Sequence, residues 1–216
     1  MPPSTAQKRS LEEKVLRFEL AGQTTLLPYL AARGLGAVAR ERFRLGYVEP
    51  ADDIQRAYWH RLAIPYLTPT GVVQVRYRCL ADHHAPGQDA GRCPKFLGDA
   101  GQEVTLYNAA VTLTAGRVLF LTEGEPDTWA IETLAGFPAV GIPGAQAWKA
   151  HPYWARCFVN FPLLILAADG DEAGAQLAAT VAQDLPETRI VQLPDGEDAN
   201  SLLARDPDQF FARCGL

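Results

Sequence analysis

The chain has 216 residues, 48% of them hydrophobic and 21% charged, with a net charge of −5. That is long enough for one large core or two small ones and ordinary for a soluble globular protein. No apolar run approaches the ~18 residues that a membrane span needs, and the polar stretch Met1–Ser10 has no apolar segment behind it, so neither membrane insertion nor a signal peptide is expected, and the cytoplasm is the expected compartment.

The four cysteines, Cys79, Cys93, Cys157 and Cys214, form no CxxC pair, and a disulfide scaffold is not expected at this size. The run Cys79-x3-His83-His84-x8-Cys93 invites a zinc reading, but its spacing fits no common finger or ribbon. Reduced thiols and loop histidines are the expectation, and zinc is not. Charge is uneven: residues 1–116 carry 14 Lys+Arg against 11 Asp+Glu, and residues 117–216 carry 6 against 14. Eleven of the 14 bases in the first part are arginines, whose planar forks suit phosphate. An acidic total therefore does not exclude nucleic acid, because affinity depends on a local basic face.

In chain order, Met1–Ser10 reads as a frayed tail, with Ser10 as the N-cap of a helix carrying Leu11, Val15, Phe18 and Leu20 at near-helical spacing. A second helix is predicted over about Thr25–Ala32, stopped by Gly34, and a third over Ala37–Phe43. Leu62–Leu67 and Val72–Arg78 then read as strands joined by the turn Thr68–Gly71. Strict alternation places Gln74, Arg76 and Arg78 on one exposed face of the second strand, and Val73, Val75 and Tyr77 on the other. Ala81–Cys93 is a polar loop, and Lys95–Gly98 and Val104–Tyr107 read as further short strands.

From Arg117 onward strand and helix alternate. Strands are predicted at Val118–Leu121, Ala139–Ile142, Leu163–Ala168 and Arg189–Leu193. Helices are predicted at Asp127–Ala135, from Ala145 to a break near Pro152, at Glu172–Leu185, and at Ala199–Ala204 and Pro207–Arg213. This is the pattern of βαβ units on a parallel sheet, whose ligands bind beyond the carboxyl ends of the strands. The aromatic residues Trp129, Phe137, Trp148, Tyr153 and Trp154 are read mostly as core or interface rather than as base-stacking platforms, and His151 as a solvent-exposed loop residue.

Three acidic clusters fall at those strand ends: Glu123-Gly-Glu125-Pro-Asp127, Asp169-Gly-Asp171-Glu-Ala-Gly174 and Asp198-Ala-Asn200. Taken singly, each matches the capping and turn chemistry common before helices, and Asp127 in particular could cap its helix. Three clusters at three strand ends point instead to a cation, because crowded carboxylates without matching bases are costly unless a cation neutralises them. Mg²⁺ or Mn²⁺ is expected, with phosphates as substrate oxygens. Glu123, Asp169, Asp171 and Asp198 are the candidate ligands, with Glu123 alternatively a general base.

Together these motifs resemble the Toprim domain shared by DnaG-type primases, topoisomerases and some nucleases, and specifically the Toprim half of bacterial and bacteriophage primases. Upstream, Leu62–Leu67, the Arg76/Arg78 strand and Pro94-Lys95-Phe96-Leu97-Gly98 resemble the small basic subdomain preceding Toprim in those primases. Tyr29–Leu35 and Phe43–Tyr47 resemble the opening helices of phage primases. The resemblance implies an α/β fold: a Toprim-type parallel sheet flanked by helices over residues 117–216, preceded by a basic α+β subdomain over 25–116 and a tail and helix over 1–24. It implies an enzyme of DNA replication, a primase catalytic core that makes short RNA primers from NTPs on a single-stranded DNA template lying in the cleft between the two parts. Glu123, Asp169 and Asp171 would be catalytic, with Asp198 a further metal ligand. Lys95, Arg76, Arg78 and Asp127 would contact nucleotide or DNA.

Primases of this kind usually carry a cysteine-rich zinc domain, and some a helicase; neither is visible here, so a separate zinc-binding subunit and a replicative helicase are the expected partners, in the host cytoplasm if the chain is phage-encoded. The rivals are a Toprim nuclease or topoisomerase fragment, a noncatalytic nucleic-acid-binding module, and a nucleotide enzyme on another doubly wound fold. The last lacks a Gly-rich phosphate loop.

Overall fold

A computed structural model describes residues 4–81, 91, 93–99 and 101–216. The chain forms two compact units: Met1–Ala32 with Gly36–Glu103, and Arg33–Leu35 with Val104–Leu216. Among the described residues no helix is long and apolar enough to cross a membrane.

The first unit opens with α1 (Thr5–Leu20), α2 (Gln23–Ala31) and α3 (Ala37–Arg42). The predicted tail is corrected: the helix begins at Thr5, not after Ser10. Ser4-x-x-Gln7 is a capping box, in which Gln7 N–H donates to Ser4 Oγ (3.3 Å) and Ser4 N–H to Gln7 Oε1 (2.8 Å), so two otherwise unpaired donors are satisfied ahead of the point where the apolar pattern begins. There follow β1 (Gly46–Tyr47), β2 (Arg61–Thr68), β3 (Gly71–Cys79) and β4 (Phe96–Gly98), an antiparallel sheet in that order. Val15 and Phe18 of α1 pack on Ala63, Val72, Val75 and Tyr77.

That core also corrects the predicted alternation. Leu67 pairs with Val72 and Tyr66 with Gln74, so Val73 is the extra residue of a β-bulge. The bulge shifts the pattern by one, and Val72 rather than Val73 joins Val75 and Tyr77 inside.

The second unit contains β5 (Val118–Thr122), α4 (Glu125–Ala130), β6 (Ala139–Gly141), α5 (Ala145–Ala150), β7 (Leu163–Ala168), α6 (Glu172–Asp184), β8 (Arg189–Gln192), α7 (Ala199–Arg205) and α8 (Pro207–Cys214). Its four strands are all parallel, in the order β6-β5-β7-β8. Helices cover both faces: Leu119, Leu121, Leu164 and Leu166 share a core with Trp148, Leu177 and Val181, while Phe120 stacks on Phe210 of α8 from the other side (centroids 5.9 Å apart). This is the α/β sheet that the alternating pattern predicted, and continuous apolar strands are what burial on both faces requires.

Three local expectations change. Val104–Tyr107 forms no strand but a single bridge, Tyr107 to Gly141. The helix after β5 starts at Glu125 and widens into a π-turn over Ile131–Ala135, where the buried Glu132 side chain accepts Asn108 Nδ2–H (2.8 Å) and Ala139 N–H (3.2 Å). His151 is half-buried rather than solvent-exposed, stacked on Trp154 at 4.5 Å with its Nδ1 on Ala147 O. Trp129, Trp148 and Trp154 are core residues, as read from the sequence, and Tyr153 is exposed.

Arg44 holds the first unit's helices to its sheet. It sits at φ +54, a region that non-glycine residues rarely visit. Its guanidinium binds Glu12 (2.7 Å) and Glu19 (2.9 Å), and Glu12 also accepts Val72 N–H (2.7 Å). Burial pushes the Glu12 carboxyl up, but the Arg44 hydrogen bond, the Val72 N–H and the Arg44 charge together hold it below its usual value. A carboxylate with a lowered folded-state pKa stabilises the fold above its unfolded value, about 4.3, and loses that contribution as pH falls through the folded value. Glu12→Gln is therefore expected to cost about 1 kcal/mol at pH 7, allowing for the partial exposure of the pair. Urea unfolding at pH 7 and at pH 3 checks this, the difference from wild type shrinking at the acid end.

Candidate active site

Because β5, β7 and β8 are parallel and adjacent, their carboxyl ends lie along one sheet edge. Glu123 follows the last residue of β5, Asp169 follows the last residue of β7, and Asp198 lies beyond β8 at the start of α7. The first two meet directly: Glu123 Oε1 accepts the backbone N–H of Asp169 (2.9 Å). Asp171 caps α6, accepting Gly174 N–H (2.8 Å), and Asp198 caps α7, accepting Ser201 N–H (2.6 Å). The capping role weighed from sequence thus holds for two of the acids, and each keeps a second oxygen. Asp127 does not cap α4, whose N-cap is Gly124; it is buried and accepts Asn200 N–H (3.0 Å).

Backbone packing forces the acids together. A Cβ on Gly170 would stand 1.8 Å from Pro194 O, so only glycine lets the β7–α6 turn lie against the β8–α7 turn. The two turns exchange hydrogen bonds, Gly170 N–H to Glu197 O and Gly196 N–H to Gly170 O, each 2.8 Å. A Cβ on Gly174 would stand 2.2 Å from Asp169 O and 2.6 Å from Glu123 Oε1.

The electrostatic result is a strained group of carboxylates. Burial first, then the charges of Asp127, Glu123, Asp198 and Asp171, push the Asp169 carboxyl up to about 9. Burial and Asp198 push Asp127 up to about 7, while the Asn200 N–H and the Arg33 charge pull it back. Burial also raises Glu123, with the Asp169 N–H opposing and Asp171 reinforcing. Asp169 Oδ1 is buried with no hydrogen-bond partner among the described residues. An orphaned carboxylate oxygen among like charges fits a hard divalent cation, and an all-oxygen donor set suits Mg²⁺ or Mn²⁺ rather than a soft metal. Among the described residues no group of three or more His, Cys, Asp or Glu side chains is placed to hold a metal ion by itself. Mg²⁺ does not demand one, since it keeps waters and takes substrate oxygens.

The basic candidates lie in the first unit. Lys95 is exposed just ahead of β4. Arg76 pairs across with Gly98 and Arg78 with Phe96. Both guanidinium groups lie over the Phe96 ring, at 4.7 and 5.2 Å from its centroid. The two arginines share a face as predicted, but that face is half-buried rather than exposed, because β4 brings Phe96 across the strand. Of the Cys79/His83/His84/Cys93 run, the histidines lie outside the described residues; neither cysteine forms a disulfide.

Sequence reasoning missed Asn200 as a structural partner: its backbone holds Asp127 and its side chain donates to Arg33 O (2.8 Å). It also missed Gln192, which donates to Asp169 O. Asn200 stands two residues after Asp198, a signal open to reading; Gln192 carried none.

Above its unfolded value of about 4 the Asp169 carboxyl must take up a proton on folding, so removing it should relieve the metal-free fold. Asp169→Asn is expected to raise the stability of the metal-free chain by about 1–2 kcal/mol, as replacing strained functional groups commonly does. It should also abolish any rise in melting temperature produced by Mg²⁺. Thermal unfolding of wild type and variant, with chelator and with Mg²⁺, measures both.

No family model matches the chain. The gene 57 protein of Mycobacterium phage D29 is 40% identical over 147 residues, which cover 66% of this chain and 89% of that protein. Among solved structures, the DnaG catalytic core superposes with a TM-score of 0.74 at 21% identity, covering 96% of this chain and 79% of that one. A DnaG primase catalytic domain bound to single-stranded DNA gives 0.68 at 20% identity, over 98% and 82%. By that identity and coverage the chain belongs to the family of the phage D29 gene 57 protein, and its fold is that of the DnaG primase catalytic core.

Proposed function

We propose that this protein is the catalytic core of a DNA primase, joining ribonucleotides into short primers on a single-stranded DNA template. The observation that carries the reading is the glycine-clamped set of carboxylates at the carboxyl edge of the parallel sheet, with Glu123 bonded to the backbone of Asp169 and an oxygen of Asp169 left without a partner among the described residues. The D29 relative and the DnaG-core fold support it, as does the DNA held by one such catalytic domain.

In this reading Asp169, Asp171 and Asp198 hold Mg²⁺ or Mn²⁺ rather than zinc. The bound cation would neutralise charge building on the α-phosphate and orient the in-line displacement. Glu123, raised by its burial, takes the proton of the attacking 3′-hydroxyl or serves as a further ligand. Asp127, buried behind the cluster, positions the α7 end through Asn200 rather than touching nucleotide in this arrangement. Lys95, Arg76 and Arg78 neutralise triphosphate or template phosphates, the arginines aligned by Phe96. A zinc-binding protein and a replicative helicase acting in trans complete the set of proposed partners.

The test is primer synthesis on single-stranded DNA with four NTPs and Mg²⁺ or Mn²⁺, with and without a zinc-domain protein. Asp169→Ala is expected to lower product by about 100-fold or more, the scale of losing a group that stabilises transition-state charge. Cleavage of the DNA without RNA product would assign the same carboxylates to a nuclease instead. Lys95→Ala is expected to weaken template or NTP binding several-fold and to flatten the salt dependence by about one counterion, leaving the metal response intact. Titrating binding at several salt concentrations reads this.

A further inference from the structure

Two cysteines that the proposed activity does not use stand together in the first unit. Cys79 ends β3, Cys93 lies on the segment leading into β4, and their Sγ atoms are 3.8 Å apart. Both are half-buried, and neither is in a disulfide bond. The backbone sets this approach: Cys79 N–H donates to Lys95 O (2.9 Å), continuing the β3–β4 ladder past the Arg78–Phe96 pair and bringing residue 93 beside the strand end.

Arg61 fixes Cys93 from the other side. It is 5% exposed and its donors are committed: Nε to Ala57 O and Nη1 to Pro94 O, both 2.8 Å, and Nη2 to Cys93 Sγ at 3.1 Å. One rigid guanidinium thus holds both the segment and the sulfur. Both cysteines line an open cavity of about 610 Å³, together with Trp59, His60 and Leu97, so a small molecule can reach them.

We propose that Cys79 and Cys93 form a redox-active dithiol, oxidised by low-molecular-weight disulfides to an intramolecular disulfide. One protein sulfur attacks the small disulfide, forming a mixed disulfide and releasing one small thiol. The second protein sulfur then attacks the first, forming the Cys79–Cys93 bond and releasing the second small thiol. Two protein thiols and one small disulfide thereby become one protein disulfide and two small thiols. A disulfide needs sulfurs about 2 Å apart, and two sulfurs already in contact reach that by side-chain rotation. The bond closes the β3–β4 connection at its base, two residues ahead of Lys95. The inference does not rest on the primase reading, although oxidation would constrain the residues assigned there to phosphate.

The test uses the reduced full chain, titrated with glutathione disulfide until the exposed Cys157 carries a glutathione adduct, then alkylated in denaturant and digested with trypsin. Cleavage after Arg78, Arg92 and Lys95 places the two cysteines on different peptides. The expected result is a cross-linked pair joining Cys79 to Cys93, two hydrogens lighter than the separate peptides and released by dithiothreitol. It should be absent in Cys93→Ser. Recovery of Cys79 and Cys93 as alkylated thiols or as separate glutathione adducts, while Cys157 is modified, would overturn the proposal. That wild-type measurement stands even if the serine variant folds poorly.

Discussion

The hydrogen bond from the Asp169 backbone to Glu123 Oε1 fixes the ends of two adjacent parallel strands to one another, and the rest of the second unit is arranged around it. Carboxylates repel, and free loops would let them drift apart. Here Gly170 packs against Pro194 and Gly174 against Asp169 and Glu123, leaving the acids no room to separate. The cost appears as raised carboxyl affinities for protons at Asp169, Asp127 and Glu123, and it is carried by a sheet whose faces are buried against helices on both sides. A fold that tolerates such crowding is suited to a cation and to the phosphates that a cation gathers.

The first unit solves the opposite problem, keeping positive charge ordered. Arg44 is neutralised by Glu12 and Glu19 and serves as a structural tie. Arg61 spends its donors on carbonyls and on Cys93. Arg76 and Arg78 instead lie over the Phe96 ring in cation–π contact, and Arg76 also donates to Tyr66 OH (3.3 Å).

How much was legible in the sequence follows from how local each signal is. The strands β5, β7 and β8 were readable because a parallel strand buried on both faces is a short apolar run, and each run ends in acids and glycine within a few residues. The onset of α1 was missed because the capping box of Ser4 and Gln7 sits ahead of any apolar periodicity. The bulge at Val73 was invisible because alternation assumes an unbroken ladder, and the partner strand decides where it breaks.

The sequence by itself determined the α/β class and the order of acids after successive strands, because these depend on composition and period along the chain. Only the tertiary structure decided that Glu123 grips the backbone of Asp169, that Asp127 is buried behind it against Asn200, that Phe96 covers two arginines, and that Cys79 meets Cys93. Each of those contacts joins residues separated along the chain, and such pairings are set by strand order and turn packing rather than by anything local to either residue.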